Sequence, residues 1–215
     1  MEKKVLGVAI PYYNNNPVCV SAMLGLLQHI RNDINDDILI CIVEDGQYSN
    51  FLDEYIKDTE HFRIVRLLEN KGVSVARNIC INQLIDEVNY ILFIDSDDVL
   101  SDNYLKIMCE YCKSGVYDIY ESQFAINTKD NIIPFRKNQN RYGVTGQAFR
   151  TGIIDYKRFD PNLQIGEDTK FNKLVFNLDL HTRYYVKEAT YFYKLGLNRE
   201  SLTMLYSAKK ITERR

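Results

Sequence analysis

The chain has 215 residues, of which 46% are hydrophobic and 26% charged, as in a globular protein that can bury a sizeable core. Its 27 basic and 29 acidic residues give a formal net charge of -2, which argues against general nucleic-acid binding. The apolar run near the N-terminus is too short for a signal sequence or a membrane-spanning helix.

Five cysteines, an odd number, lie mostly inside apolar segments, and this favours reduced thiols in a cytoplasmic protein. The pair Cys109 and Cys112 falls in a helical pattern without a second pair, so we expect buried thiols rather than a zinc site. The Lys/Arg-rich end, residues 209–215, is either a solvated tail or a weak contact for the inner face of a membrane.

The first half of the chain alternates apolar runs with helical patterns. Continuous apolar runs predict strands that are buried on both faces, at residues 5–10, 38–43, 62–68 and 90–94. Helical patterns begin at Asn16-Pro17, which read as N-cap and first helical residue, near Phe51, and at Gly72. The alternation predicts an α/β protein with a mostly parallel, Rossmann-like sheet flanked by helices.

The second half is predicted to be more mixed. A helix is expected over residues 103–113, with Asp102 as its cap, and another over 167–177. Strands are expected at residues 117–126, 132–135, 146–149, 182–186 and 190–193, and a loop at 137–142. Because neither a repeat nor a linker interrupts the pattern, we expect a single domain, residues 1–215, with halves that divide near residue 100.

A polar cluster follows each predicted strand of the first half. Because the carboxyl ends of parallel strands share one edge of the sheet, the clusters should together form a ligand-binding crevice. The last of them, Asp95-Ser96-Asp97-Asp98, follows the apolar run Ile91–Ile94. Two carboxylates one residue apart suit a hard cation that in turn holds a phosphate. The alternative, that these acids cap a helix, is weakened because Asp102 already fits that role.

Five segments, in this order, resemble the inverting glycosyltransferases of family 2, which have the GT-A fold. They are residues 8–14, 43–46, 70–78, 93–98 and 166–171. The third is close to the family's Gly-x-x-x-Ala-Arg-Asn segment, the fourth contains its DxD motif, and the fifth is similar to its acceptor-side Glu-Asp motif. The resemblance implies a half that binds the nucleotide sugar, residues 1–100, and a mixed half that binds the acceptor and carries the base, residues 101–215.

The resemblance also implies roles for residues of the donor site. Asp97 is expected to bind Mn²⁺ or Mg²⁺, together with Asp95, since an all-oxygen site that also holds a diphosphate suits these ions. Tyr13 either stacks on the base or packs over the strand end, and Asp45 either accepts from a uracil N–H or forms a turn. The other expected donor-binding residues are Pro11, Arg77, Ser96 and Arg199. Arg77 is expected to meet phosphate or base, or to pair with a nearby acid.

Asp168 is the expected general base, because the family places the base at the second acid of the Glu-Asp motif. A hydroxyl must lose its proton as it attacks the anomeric carbon, and a carboxylate opposite the leaving group takes that proton with inversion. The implied enzyme is a metal-dependent inverting hexosyltransferase of polysaccharide biosynthesis. Its donor is a nucleotide-diphosphate sugar, in the first place a UDP-sugar, and its acceptor is a glycan or a lipid-linked sugar.

Two other functions are compatible with parts of the sequence. The run that begins with Asp95 also fits haloacid-dehalogenase phosphatases, in which the first Asp is the nucleophile and the second an acid/base. That class leaves the three earlier strand-end motifs unexplained. A non-catalytic nucleotide-sugar-binding module is the third candidate, although Asp97 and Asp168 are both present.

Overall fold

The computed structural model describes residues 2–14, 16–46, 48, 50–127, 131–134, 143–163, 165–176 and 181–194. Within these residues the chain forms one sheet of nine strands. The strands are β1 (Lys4–Tyr12), β2 (Ile38–Asp45), β3 (Phe62–Leu67), β4 (Val88–Phe93), β5 (Val99–Leu100), β6 (Ile119–Asn127), β7 (Ile132–Pro134), β8 (Gln147–Arg150) and β9 (Arg183–Lys194). The structure thus confirms the four strands that were predicted from the apolar runs of the first half, which are β1 to β4.

Six α-helices lie between the strands in the described part of the chain. They are α1 (Pro17–Ile30), α2 (Asn50–Tyr55), α3 (Val73–Leu84), α4 (Tyr104–Lys113), α5 (Thr151–Ile154) and α6 (Glu167–Phe176). The predicted start of α1 is confirmed, because Asn16 Oδ1 accepts from the backbone N–H groups of Val18 and Cys19 and Pro17 is the first helical residue.

The strand order is β3-β2-β1-β4-β8-β6-β9-β5, with β7 paired to β6. Strands β3, β2, β1 and β4 are parallel to one another, whereas β8 is antiparallel to both β4 and β6. Strand β9 is parallel to β6, and β5 is antiparallel to β9. The predicted division into a parallel first half and a mixed second half is therefore confirmed.

Helices cover both faces of the sheet, because the parallel strands are apolar on both sides. Side chains of β1 and β2 alternate between two buried clusters: Val8 and Ile40 lie in the first, and Ala9 and Cys41 in the second. Helices α1, α2 and α4 pack on the first cluster, and α3, α5 and α6 on the second. The two helices that face the carboxyl edge of β4, α3 and α6, therefore approach each other on the same face of the sheet.

The cap of α4 corrects the prediction for Asp102. The residue before the helix is Asn103, in the left-handed region at φ 56°, and it makes no capping hydrogen bond. Instead, Leu105 N–H donates to Oδ2 of Asp33 over 2.9 Å. Asp33 lies in the 3-10 turn at residues 31–33 that follows α1, so the acceptor comes from a distant part of the chain.

The two late strands predicted separately, at residues 182–186 and 190–193, form the single strand β9. Val186 pairs with Ser122 of β6, and Thr190 pairs with the next residue, Gln123. Residues 187–189 therefore form a bulge in β9. The polar pair Lys187-Glu188 interrupts the apolar pattern without ending the strand, because a bulge removes these residues from the ladder.

No helix in the described ranges combines the length and the hydrophobicity needed to cross a membrane. The five cysteines are free thiols. Cys109 and Cys112 are buried on α4, as predicted, among apolar side chains of the first cluster.

Candidate active site

The carboxyl ends of β1, β2 and β4 meet at one edge of the sheet. Pro11 lies where β1 and β4 separate. The prediction that β1 ends at Pro11 is wrong, since the strand continues to Tyr12, which pairs with Glu44 of β2. Ile94 N–H donates to the carbonyl of Ala9 over 3.1 Å, so Ala9 and Pro11 face the β4 side. Because proline has no N–H, it cannot extend this ladder. The gap between β1 and β4 therefore opens directly beside Asp95.

Asp45 at the end of β2 connects this edge to the start of α3. Its Oδ1 accepts from Lys71 N–H over 2.7 Å, and its Oδ2 accepts from Gly72 N–H over 2.8 Å. Asp45 is only 4% exposed. Each carboxylate oxygen keeps a second lone pair, so Asp45 organises the turn and can still accept a further hydrogen bond.

The next residue, Gly46, has a backbone conformation and close neighbours that both disfavour a side chain. Gly46→Ala is therefore expected to destabilise the fold. Its φ is 100°, and a Cβ would overlap the backbone nitrogen of Asn70 and lie 2.7 Å from the Cα of Asn70. The strained conformation alone costs roughly 1–3 kcal/mol of unfolding free energy, and displacement of the Asn70 loop adds to it. Urea denaturation of the variant measures this loss.

Gly72→Ala is the matched control for Gly46→Ala. Gly72 also has a positive φ, 90°, but a Cβ there would meet no described atom within 4 Å. The Gly72 variant should therefore lose only the conformational part of the stability. Equal losses in the two variants would show that the overlap between a Cβ at position 46 and Asn70 does not contribute to the loss of stability.

Arg77 on α3 bridges two acids from different parts of the chain. Its Nη2 donates to Asp95 Oδ1 over 2.8 Å, and its Nη1 donates to Glu167 Oε1 over 2.9 Å. The guanidinium also lies over the ring of Phe159, 5.3 Å from its centroid. Arg77 is 3% exposed. Burial acts to lower its pKa, but the charges of Asp95 and Glu167 raise the pKa by a larger amount, so the net shift is upward. The cation is therefore permanent.

Asp97 and Asp98 extend the negative charge beyond Asp95. Burial, and then the neighbouring charge of Asp95, raises the pKa of Asp97 above its usual range. The same causes, with the charge of Asp97 added, raise the pKa of Asp98 well above that range. Among the described residues, no Lys, Arg or His lies within ion-pair distance of Asp97. A cation bound there would relieve the repulsion.

Asp98 is held by β9 and lies behind the other two acids. Tyr191 Oη donates to Asp98 Oδ2 over 2.6 Å and accepts from Asp95 N–H over 3.0 Å. Lys194 N–H donates to Asp98 Oδ1 over 2.8 Å. Asp98 thus fixes the loop after β4 against the final described strand, whereas no other described residue donates a hydrogen bond to the carboxylate of Asp97.

Asp168 lies in the first turn of α6, next to Glu167. Its Oδ1 accepts from Thr169 N–H over 3.0 Å, and no other described residue donates to its Oδ2. Burial raises the pKa of Asp168, the charge of Arg77 acts to lower it, and that of Asp95 raises it; the net shift is upward. Asp168 is therefore a stronger base than an exposed aspartate, with one oxygen available.

The structure thus brings Arg77, Asp95 and Asp168 into one electrostatic cluster, with Ser96 and Asp97 on the adjoining loop. Tyr13, directly after β1, is 39% exposed, so its ring is available for stacking. The predicted Arg199 and the predicted loop at residues 137–142 lie outside the described residues.

Two residues of this site were given no role by the sequence. Glu167 is the second partner of Arg77, and Tyr191 connects Asp98 to the backbone of Asp95. The adjacent acids Glu167-Asp168 were a usable signal for the first. Tyr191 is one of several tyrosines near the C-terminus, so its role needed the three-dimensional structure.

Among the described residues, one group of three or more His, Cys, Asp and Glu side chains has ligand atoms within 4.8 Å of one another: Asp36, Glu60 and His61. It precedes β2 and β3, at the opposite edge of the sheet. In the part of the chain that the structure describes, Asp95 and Asp97 do not form such a group with a third protein ligand. They fit a cation that also takes oxygens from a bound diphosphate, as Mg²⁺ and Mn²⁺ do.

Comparison with known proteins identifies the family and the fold. The profile of glycosyl transferase family 2 matches residues 7–174. Glycosyltransferase GlyG of Streptococcus pneumoniae serotype 4 is 25% identical over 178 residues, which cover 81% of this chain and 54% of GlyG. The chain therefore spans about half the length of this curated relative.

Solved structures show the same architecture. S. aureus TarS 1-349 in complex with UDP-GlcNAc superimposes with a TM-score of 0.75 at 18% identity, over 93% of this chain and 60% of that one. GalNAc-T7 with UDP, GalNAc and Mn²⁺ superimposes with a TM-score of 0.67 at 13% identity, over 89% and 44% of the two chains. These similarities confirm the predicted α/β fold of the GT-A type.

Proposed function

The chain belongs to glycosyl transferase family 2, and we therefore propose that it transfers a sugar from a UDP-sugar to a hydroxyl group of an acceptor. The observation that carries this proposal is the cluster at the sheet edge. There Arg77 pairs with Asp95, which follows β4, and with Glu167, which begins α6. The ligands named in the TarS and GalNAc-T7 complexes, UDP-GlcNAc and UDP, support a UDP-linked donor.

Asp97 is the proposed ligand of a divalent cation, Mn²⁺ or Mg²⁺, with Asp95 beside it. When bound, such a cation stabilises negative charge on a departing diphosphate. The free carboxylate of Asp97 and its raised pKa fit this role. Asp95 already accepts a hydrogen bond from Arg77 at Oδ1, so it would help to hold the cation through its other oxygen, either directly or through a water molecule.

The other donor contacts follow from the strand ends. Tyr13 is proposed to stack on the base, and Asp45 to accept from a base N–H while it holds the turn at residues 71–72. Pro11 shapes the gap in which the donor lies, and Ser96 faces the diphosphate. Arg77 contributes positive charge behind the phosphates, although its hydrogen bonds go to Asp95 and Glu167.

Asp168 is the proposed general base. Its Oδ2 takes the proton of the acceptor hydroxyl while the oxygen attacks the anomeric carbon opposite the diphosphate, and this geometry inverts the anomeric configuration. Burial raises the pKa of Asp168, which makes its carboxylate a better proton acceptor than that of an exposed aspartate. Glu167 is held in an ion pair with Arg77, whereas no such pair is found for Asp168 among the described residues, which favours Asp168 as the base.

The proposal extends to a single domain with a donor half and an acceptor half, to a glycan or lipid-linked acceptor, and to the cytoplasm or the inner face of a membrane. Family membership leaves the haloacid-dehalogenase alternative without support. A non-catalytic binding module would bind UDP-sugars without ever releasing UDP, so an assay of UDP release with a panel of UDP-sugars and Mn²⁺ tests the proposed activity.

Asp97→Asn is expected to remove the metal-dependent part of nucleotide binding. A ligand present at a hundredfold excess over its Kd stabilises the folded protein by about 2.7 kcal/mol. In the wild type, Mn²⁺ should increase the thermal stabilisation that UDP provides. The increase should grow with pH, because Asp97 must be deprotonated to bind the cation and its pKa is raised. A thermal-shift titration of UDP with and without Mn²⁺ measures it.

Asp102→Asn is the control for this titration, because Asp102 is an exposed acid close to the same loop. It should respond to Mn²⁺ as the wild type does. If Asp97→Asn keeps the full Mn²⁺-dependent stabilisation by UDP, Asp97 is not the metal ligand.

A further inference from the structure

The oxygen of Asp168 that accepts the proton can be identified. Oδ1 already accepts from Thr169 N–H, whereas no other described residue donates to Oδ2. Oδ2 is therefore the more open of the two oxygens, and on the proposed function, on which the following inference rests, we assign the approach of the acceptor hydroxyl to Oδ2. Any atom fixed near Oδ2 limits the size of the group that carries this hydroxyl.

Gly143 lies beside that oxygen. A Cβ built on Gly143 would be 3.5 Å from Asp168 Oδ2, and no other described atom that is not a chain neighbour would be within 4 Å of it. Within the described residues, the direction in which a side chain at position 143 would extend is thus open, except for the carboxylate oxygen itself. No described side chain takes up this space.

Hydrogen bonds hold Gly143 at this distance from the base. Its carbonyl oxygen accepts from Nδ2 of Asn172 over 3.0 Å, and from Nε2 of Gln147. Asn172 lies on α6, the helix that carries Asp168, and Gln147 begins β8. Both side chains are nearly inaccessible, at 3% and 1% exposed. Gly143 and Asp168 are therefore positioned on one rigid support.

We propose that Gly143 determines which acceptors the enzyme accepts, because its missing side chain makes room for the carbon that bears the attacking hydroxyl. That carbon, when it belongs to a sugar ring, carries two further carbon substituents and needs space next to Oδ2. A methyl group at position 143 would stand at van der Waals distance from Oδ2 and take part of this space. Water, which has no such substituents, would still reach the base.

The substitution probes space rather than folding. A separation of 3.5 Å is an ordinary carbon–oxygen contact, so Gly143→Ala fits without a backbone shift. One methylene in a pocket changes discrimination between substrates by about 10- to 200-fold. Gly143→Val should act in the same direction with a larger effect, because its side chain reaches further into the space.

The experiment compares nucleophiles of rising size: water, methanol, 2-propanol and methyl glucoside. UDP release and glycoside formation are measured with a panel of UDP-sugars and Mn²⁺ for the wild type, Gly143→Ala, Gly143→Val and Gly25→Ala. A Cβ on Gly25 would meet nothing within 4 Å, so Gly25→Ala is the matched control and should behave as the wild type. The ratio of methyl glucoside transfer to hydrolysis should fall at least tenfold in Gly143→Ala and further in Gly143→Val.

The possible outcomes distinguish a failure of the inference about Gly143 from a failure of the proposed sugar transfer. If Gly143→Val keeps the wild-type ratio for every nucleophile, or loses hydrolysis and transfer in equal measure, Gly143 does not select acceptors. If the wild type releases no UDP from any UDP-sugar, the proposed function fails, and the inference fails with it.

Discussion

Asp168→Asn is expected to lower the rate of sugar transfer by about 10²- to 10⁴-fold, the range that general acid–base catalysis contributes. The amide cannot accept the proton of the acceptor hydroxyl, yet it has nearly the same size as the carboxylate. Because we propose that Asp168 contacts the acceptor and not the nucleotide, the affinity for UDP with Mn²⁺ should change little. Transfer kinetics together with a UDP titration separate the two effects.

The dependence of the rate on pH makes this test sharper. In the wild type the rate should rise with pH as Asp168 loses its proton, with a midpoint above the ordinary aspartate pKa of 3.8, because burial raises it. The Asn variant should lack this acidic limb. Asp160→Asn is the matched control, since Asp160 pairs with Lys170 at the surface of the same segment and should leave the rate unchanged. A full transfer rate in Asp168→Asn would show that another group is the base.

Arg77→Met is expected to reduce the free energy of unfolding by about 3–5 kcal/mol. The variant keeps an apolar side chain of similar length but removes the cation that Asp95 and Glu167 share. Both acids then remain partly buried without this partner. The pKa of Glu167, which burial already raises, should rise further, because the charge of Arg77 acts to lower it. Because a carboxyl whose pKa is raised by folding destabilises the folded state as pH increases through that pKa, the loss should be larger at pH 8 than at pH 5.

Arg63→Met is the corresponding change at an exposed ion pair. Arg63 Nη2 lies 3.1 Å from Glu87 Oε2, but the two side chains are 38% and 49% exposed. Solvent screening should keep this loss below about 1 kcal/mol. Chemical denaturation of both variants at the two pH values tests the comparison. A loss in Arg77→Met as small as that in Arg63→Met would mean that the bridge between α3 and α6 contributes little to stability.

The parallel half of the fold was predictable because its signals are local. Strands that are buried on both faces must be apolar at consecutive positions, and such runs are short enough to distinguish them from helices. The start of α1 was equally readable, since Asn16 and Pro17 satisfy the needs of a helix N-terminus within a few residues. The shared edge of the sheet then followed from the parallel arrangement.

The failed predictions concern features that depend on distant residues. Asp102 looked like a cap, but the acceptor for α4 is Asp33, from a turn about seventy residues earlier in the chain. Pro11 looked like a strand end, but a proline is tolerated where the neighbouring strand has already diverged. The bulge in β9 is visible only in its pairing with β6.

The kinds of residue at the candidate site were readable from the sequence, but their geometry was not. The acids after β4 and at the start of α6 were predicted as site residues from residue type and family resemblance. The sequence did not reveal that Arg77 joins Asp95 to Glu167, because the three residues are far apart in the chain. Gly143 carried no signal at all, since the role that we propose for it depends on the 3.5 Å that would separate a Cβ at this position from Asp168 Oδ2.

A crystal structure of the protein soaked with UDP and MnCl₂, with anomalous diffraction from manganese, tests the central claim most directly. We expect the anomalous peak to lie between the carboxylate of Asp97 and the diphosphate of UDP, with Asp168 Oδ2 facing the same cavity. UDP bound away from the carboxyl edge of β1 and β4, or manganese found only at Asp36, Glu60 and His61, would contradict it.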